Sequence, residues 1–273
     1  ITGGASGIGL ALARRCIAQG MHTVICDIED SALAQAATEL RIDASANVYP
    51  RLVDVADAAA MQQLADDIHR DLGPVFLLFN NAGVGGGGPV WEQSLDDWQW
   101  VLGINLMGVV HGIRSFVPAM IDNNGGHIVN TASVAGLMSA PGTSTYSVSK
   151  HAVVALSEVL SGDLRNASSN VGVSVLCPSF VSTRIYDSER NRQGMSAEAQ
   201  ATAAEAAEFA SDFFASAMSA DDVASQVFDA IENKRFYILT HPLGTKQQVS
   251  QRAENIANER APTMNGPQDY PFE

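Results

Sequence analysis

A tyrosine and a lysine stand four residues apart in Tyr146-Ser-Val-Ser-Lys150, within a stretch of helical apolar periodicity. That spacing puts both side chains on one helix face. A phenol of ordinary pKa ~10 is a poor base at neutral pH. An ammonium held beside it favours the phenolate. Ser133 precedes Tyr146 by 13 residues and follows the apolar run 127–131. At the carboxyl end of a parallel strand, where α/β sheets bind ligands, its hydroxyl could hold a substrate oxygen.

A second cluster opens the chain: Ile-Thr-Gly-Gly-Ala-Ser-Gly-Ile-Gly, with Gly3, Gly7 and Gly9 in G-x-x-x-G-x-G spacing directly before a helical pattern. Glycines let backbone approach a pyrophosphate, and a helix N-terminus offers it unpaired N–H groups and a positive dipole end. The loop calls for a strand before it. Only Ile1 stands there, so a strand upstream is expected. Asp27 lies 18 residues past Gly9, at the end of the apolar run 23–26. A carboxylate there can accept from adenosine ribose hydroxyls and would repel a 2′-phosphate. No Lys or Arg in the glycine loop or directly after Asp27 offsets that repulsion, which favours NAD over NADP.

These residues need a frame, and the hydropathy pattern supplies one. Short, continuously apolar runs at 23–26, 48–53, 75–79, 127–131, 171–176 and 236–240 alternate with helical patterns at 9–19, 31–40, 58–71, 97–122, 146–166 and 221–233. Strands of this kind are buried on both faces. Strict β-α alternation predicts an α/β fold, a doubly wound parallel sheet in three layers, α/β/α, as a single domain over 1–260. Gly20 suits the C′ position of the first helix, and Ser94 with Asp97 and Ser219 with Asp222 suit helix starts. Residues 182–220 interrupt the alternation, and so long an excursion suggests a substrate lid. Its Ala-rich part 197–218, with Phe209, Phe213, Phe214 and Met218 roughly on one face, reads either as a mobile amphipathic lid or as a peripheral helix. A further helix is expected at 245–260, and 261–273 reads as a C-terminal tail.

The chain has 273 residues, 46% hydrophobic and 17% charged, with 16 basic and 30 acidic residues and a net charge of −14. That is globular composition. The acidic balance, without a Lys/Arg cluster, argues against nucleic acid and anionic membrane as partners. No apolar run approaches the ~18 residues of a membrane span, and no signal peptide is visible. Cys16, Cys26 and Cys177, odd in number and widely spaced, read as reduced packing residues of a cytoplasmic protein. The histidines at 22, 69, 111, 127, 151 and 241 lack metal-ligand spacing, so no metal is expected.

Taken together, Gly3-x-x-x-Gly7-x-Gly9, Asn80-Asn81-Ala82-Gly83, Asn105 in Ile-Asn-Leu-Met-Gly, Ser133 and Tyr146-x-x-x-Lys150 resemble the short-chain dehydrogenase/reductase family over about residues 1–183. The resemblance implies a Rossmann-type fold and hydride transfer between an alcohol carbon and a nicotinamide. It makes Tyr146 the general acid/base and Ser133 the group that polarises the substrate oxygen. Lys150 would bind the nicotinamide ribose, and Asn105 would hold a water of a proton relay. Gly3, Ser6, Gly7, Ile8 and Gly9 would cradle pyrophosphate, and Asp27 with Ile28 would meet the adenosine ribose. Asp54 and Val55 would bracket adenine, Asn81, Ala82 and Gly83 would line ribose, and Val181 and Thr183 would meet the carboxamide. It also implies homodimers or homotetramers through the helices at 97–122 and 146–166. One departure is Pro178-Ser179 where the family has Pro-Gly: a position open to positive φ carries a side chain.

Val84, Val134, Leu137, Met138, Phe180 and the lid aromatics give an apolar candidate pocket, with room beside Gly85–Gly88 and no Lys or Arg in 84–90 or 134–141. Arg184 and Arg190 read as solvated. A neutral, moderately hydrophobic secondary alcohol or its ketone (aromatic, alicyclic or terpenoid) is the expected substrate. An NADPH-linked ketone or 3-oxoacyl reductase and a non-catalytic dinucleotide sensor stand as alternatives. A carrier-protein substrate would want a basic docking patch, which the net charge opposes.

Overall fold

The computed structural model describes residues 1–41, 47–192 and 194–264, apart from the side chains at 199, 209 and 213. Six parallel strands make the centre: β1 (Thr23–Asp27), β2 (Val48–Leu52), β3 (Leu77–Asn80), β4 (Gly126–Thr131), β5 (Val171–Cys177) and β6 (Tyr237–Leu239). β1 pairs with β2, and β3-β4-β5-β6 form a four-stranded ladder. The chain start joins the two. Cys26 donates to the Ile1 carbonyl at 2.9 Å and Thr2 donates to the Phe79 carbonyl at 3.0 Å. Residues 1 and 2 therefore hold the place between β1 and β3 where a first strand was expected.

The strands alternate between two apolar faces, as a sheet covered on both sides requires. Phe79, Val129, Leu176 and Ile238 meet α1 (Gly7–Ala18) and α8 (Ala220–Glu232). Leu78, Ile128 and Val173 meet α3 (Ala58–Asp71), α5 (Gly108–Asp122) and α6 (Ser144–Asn166). α2 (Asp30–Leu40) covers β1 and β2 on the α1 side. The three-layer expectation holds. Ser94 and Asp97 form a reciprocal capping box for α4 (Leu95–Leu102), Ser219 caps α8, and Gly20 has φ +74° past α1.

Three features depart from the expected pattern. The long helix runs from Leu95 to Asp122 without a break but contains a π-turn, Gly103–Met107, around Asn105. It has the length and apolarity of a membrane span, yet nearly half of its most apolar window is buried in this fold. The excursion after β5 is closed at its base, where Ser182 donates to the Met218 carbonyl at 2.8 Å beside a Val181–Met218 bridge. Between these ends lie a 3₁₀ segment, Ile185–Asn191, and α7 (Ala197–Ala215). Phe214 of α7 lies tilted against Tyr186, ring centres 5.1 Å apart, and meets Phe180 edge-on; the side chains of Phe209 and Phe213 lie outside the described set. Last, α9 (Pro242–Ala257) begins earlier than expected because Pro242 starts it, and of the expected tail residues 265–273 lie outside the described residues. Cys16, Cys26 and Cys177 are buried free thiols.

Candidate active site

The carboxyl ends of β1 to β5 open onto a cleft of about 870 Å³. Fourteen of the expected site residues line it: Gly3, Ser6, Gly7, Ile8, Asp27, Ile28, Asp54, Val55, Asn81, Ala82, Gly83, Tyr146, Lys150 and Thr183. Gly9, Asn105, Ser133 and Val181 do not reach its wall.

Tyr146 lies in the first turn of α6 and Lys150 in the second, where the lysine reaches the end of β4. The Lys150 side chain is buried; its Nζ donates to the Thr131 carbonyl at 3.0 Å and stands 5.7 Å from the centre of the Tyr146 ring. Burial pushes the ammonium down to about 8, because a desolvated cation is disfavoured. The neighbouring Cys177 thiol is pushed up to about 12, again by burial, and stays protonated. Gly83 passes close to this ammonium. A Cβ there would come within 3.3 Å of Lys150 Nζ and 3.2 Å of Asn105 Oδ1, so a side chain at 83 would fill the gap between them.

Asn105 sits wholly buried in the π-turn, a distortion common at functional positions. Its Oδ1 accepts from the Val84 N–H at 2.8 Å, and its Nδ2 donates to the Val84 carbonyl at 3.0 Å and to Ser149 Oγ at 3.1 Å. Ser149 in turn donates to the Tyr146 carbonyl at 2.7 Å. Asn105 thus ties the loop after β3 to the turn that presents Tyr146. Ser149 was missed in the sequence; its signal was a small polar residue directly before the lysine on a buried helix face.

Ser133 caps a 3₁₀ turn, Val134–Gly136. Its Oγ accepts from Ala135 N–H at 3.1 Å and reaches the Pro178 carbonyl at 3.4 Å, beyond good hydrogen-bond length. Ser179 donates its N–H to Thr240 Oγ1 at 3.1 Å and has no positive φ, so a side chain there imposes none of the expected strain. Val134, Met138 and Phe180 pack with Leu137 as a separate apolar cluster, while Val84 lines the cleft.

At the other end, Asp27 organises the glycine loop. Its Oδ2 accepts from Ala5 N–H at 3.0 Å, and its Oδ1 accepts from the N–H groups of Ile28 and Glu29 at 2.8 and 3.1 Å. Three of the about four acceptor sites of the carboxylate are used in this way, which leaves one on Oδ2. Gly7 has φ +51°, and a Cβ there would meet Thr183 Cγ2 at 2.9 Å; a Cβ at Gly9 would overlap the Gly3 carbonyl. Asn81 bonds to both Thr2 and Thr131, so its side chain is spent on holding loop and strands together. Val181 lies at the base of the excursion. Asp54 Oδ1 accepts from Ala56 N–H at 2.9 Å and shapes the turn after β2.

The reading of Arg184 and Arg190 as solvated is half corrected. Arg184 is well exposed, but only 22% of the Arg190 side chain is exposed because it pairs with Glu29 at 2.5 Å. Arg192, also unforeseen, pairs with Asp97 at 2.6 Å. Cations on a charged, polar excursion carried no periodic signal.

A family model described as short chain dehydrogenase matches residues 1–194. A solved short chain dehydrogenase/reductase from Burkholderia phymatum, in complex with NAD, superposes with a TM-score of 0.89 at 46% identity, covering 97% of this chain and 96% of that one. A CLA biosynthesis dehydrogenase/reductase of Lactiplantibacillus plantarum is 33% identical over 97% of this chain and 94% of its own length. A 1-deoxy-11-beta-hydroxypentalenate dehydrogenase of Streptomyces avermitilis is 37% identical, covering 88% of this chain and 83% of its own length.

Proposed function

The chain belongs to the short-chain dehydrogenase/reductase family, and from that premise we propose that it interconverts a neutral, moderately hydrophobic secondary alcohol and its ketone with NAD(H), Tyr146 moving the proton. The observation that carries the reading is the buried Lys150 ammonium one helical turn from Tyr146 on the wall of a cleft that begins at a glycine loop. The cleft suits a dinucleotide: Gly7 and Gly83 on its wall leave no room for a Cβ beside Thr183 and Lys150, and Asp27 Oδ2 keeps an acceptor site at the end of β1, where a ribose diol would lie. NAD in the Burkholderia relative and the carboxylate of Asp27 both favour NAD over NADP.

Bound NAD(H) supplies the hydride chemistry. Gly3, Ser6, Gly7 and Ile8 would hold its pyrophosphate, and Asp27 with Ile28 its adenosine ribose. Asp54, Val55 and Asn81 to Gly83 would line adenine and ribose, and Thr183, backed by Val181, the carboxamide side. Lys150 would bind the nicotinamide ribose and stabilise the Tyr146 phenolate by its charge. The Tyr146 oxygen then takes the alcohol proton in oxidation and returns it in reduction. The Ser133 hydroxyl, released from its long contact with the Pro178 carbonyl, would hold the same substrate oxygen. Asn105 would serve a water relay through its backbone carbonyl, because its side-chain amide is committed to Val84 and Ser149. Exposed Met107, Val148 and Val159 on the π-turn and α6 support a homo-oligomer.

The test is NADH absorbance during a panel of neutral secondary alcohols and ketones. Tyr146→Phe is expected to lower kcat about 100-fold or more while NADH still binds. Unchanged turnover in that variant would remove Tyr146 from the chemistry, and preference for charged or carrier-bound ketones would remove the substrate class.

A further inference from the structure

The 3₁₀ segment after β5 lines the cleft and is held to residues on two sides of it. On one bank Arg190 pairs with Glu29, two residues past Asp27, at 2.5 Å, and Asn191 Nδ2 donates to the same carboxylate at 3.0 Å. On the other bank Arg192 pairs with Asp97 of α4 at 2.6 Å and lies 5.2 Å from the centre of the Trp100 ring. Between them Arg190 Nη1 donates to the carbonyls of Arg184 and Asp187, at 3.2 and 2.7 Å, which stiffens the segment around its own cation. Ser188 accepts from the Gly85 N–H at 2.9 Å, a third anchor nearer the catalytic end. Glu29, Trp100, Arg190, Asn191 and Arg192 all line the cleft together with Asp27 and Asp54.

Both ion pairs are mostly shielded from water: the four side chains are between 18% and 25% exposed. Desolvation raises both carboxyls, but hydrogen bonds from Arg190 and Asn191 to Glu29, and from Ser94 and Arg192 to Asp97, outweigh it and hold both below the usual carboxylate range, so both pairs are charged at neutral pH.

We propose that residues 184–192 are a clasp, fastened to opposite banks by Arg190–Glu29 and Arg192–Asp97, that retains the adenosine half of the bound dinucleotide. The inference rests on the cofactor reading above and adds to it which residues set cofactor residence. Arg190 and Arg192 are positioning residues: they act on the cofactor through the strap they hold down. A nucleotide lying beneath the strap leaves only after at least one bank has let go, so the pairs slow release more than they slow binding. Raised ionic strength weakens both pairs and should hasten release.

Two variants separate the banks. Glu29→Gln removes one carboxylate charge; the Glu29 side chain makes no cap bond to α2, so the helix start is spared. On the other bank Arg192→Gln is preferred to a change at Asp97, whose second oxygen caps α4 through Ser94. The experiment is stopped-flow displacement of NADH, followed by its fluorescence, with chymotryptic cleavage after Tyr186 in the NADH complex as a second readout. Each variant is expected to release NADH about two- to fivefold faster, and the double variant roughly tenfold faster with its salt dependence gone. Cleavage after Tyr186 should quicken in parallel. NADH bound by every protein but released at one common, salt-independent rate would overturn the clasp alone. No NADH bound by the unaltered protein would overturn the cofactor reading and the clasp with it.

Discussion

Lys150 is costly to the fold and, in the proposed reaction, required by the chemistry, and Lys150→Met separates the two. Burial holds its ammonium at about 8 against an ordinary 10.5. Between those values the unfolded chain binds more protons than the native one, so the native protein gains stability as pH rises through the window. The full window is worth about 3 kcal/mol. Below it the folded protein carries that cost; above it the cost is gone. Methionine has no titration there. It does leave the Thr131 carbonyl without its 3.0 Å donor, a loss of about 1–2 kcal/mol that does not depend on this pH window. At about pH 7, Lys150→Met should therefore be more stable than the unaltered protein by about 1–2 kcal/mol, and inactive. Near about pH 10.5 the order should invert. Urea unfolding of both proteins at the two pH values, without cofactor, reads the effect directly. A stability difference that stays constant with pH would refute the claim that this ammonium is held charged in a desolvated site.

Two other predictions follow from the frame around the site. A Cβ at Gly112 would overlap Asn80 Oδ1 and lie 2.9 Å from its Cγ. Asn80 opens a buried ladder through Asn130 and Ser157 that ties β3, β4 and α6 together, with bonds of 2.9 and 3.0 Å. Gly112→Ala should cost on the order of 2–3 kcal/mol in urea unfolding, and an unchanged midpoint would mean the close approach of α5 to β3 is relaxed in solution. At the cofactor end, Asp27→Ala should bring the NADPH and NADH dissociation constants closer together by roughly tenfold, by removing a repelling charge. A ratio equal to that of the unaltered protein would show that Asp27 only braces the glycine loop through Ala5.

Much of this frame was legible because burial on both faces leaves a plain mark. Runs such as 171–176 and 127–131 are too short for helices and too apolar for edge strands, and the structure sets β5 and β4 over them. Helix starts were legible where a side chain makes the cap: Ser94 with Asp97, Ser219 with Asp222. The boundary at α9 slipped because a proline at the first helical position looks like a break when read as punctuation. The cofactor end of the site was legible because glycine loops and an acid after β1 are local in sequence. The pairing of Tyr146 with Lys150 was legible because one helical turn fixes its geometry.

What stayed hidden depends on groups brought together from far apart in the chain. Nothing in Ile-Asn-Leu-Met-Gly distinguishes a π-turn from plain α-helix. The extra residue is accommodated because Asn105 can fasten both its amide atoms to Val84 and still reach Ser149. Likewise Glu29 and Arg190 are 161 positions apart, and each alone reads as a solvated charge. Their pairing follows only once the excursion after β5 is seen to be closed at Val181 and Met218, which turns it back over the cleft. The same closure explains why Val181 matters while never reaching the wall. It fixes where Thr183 begins its course beside Gly7.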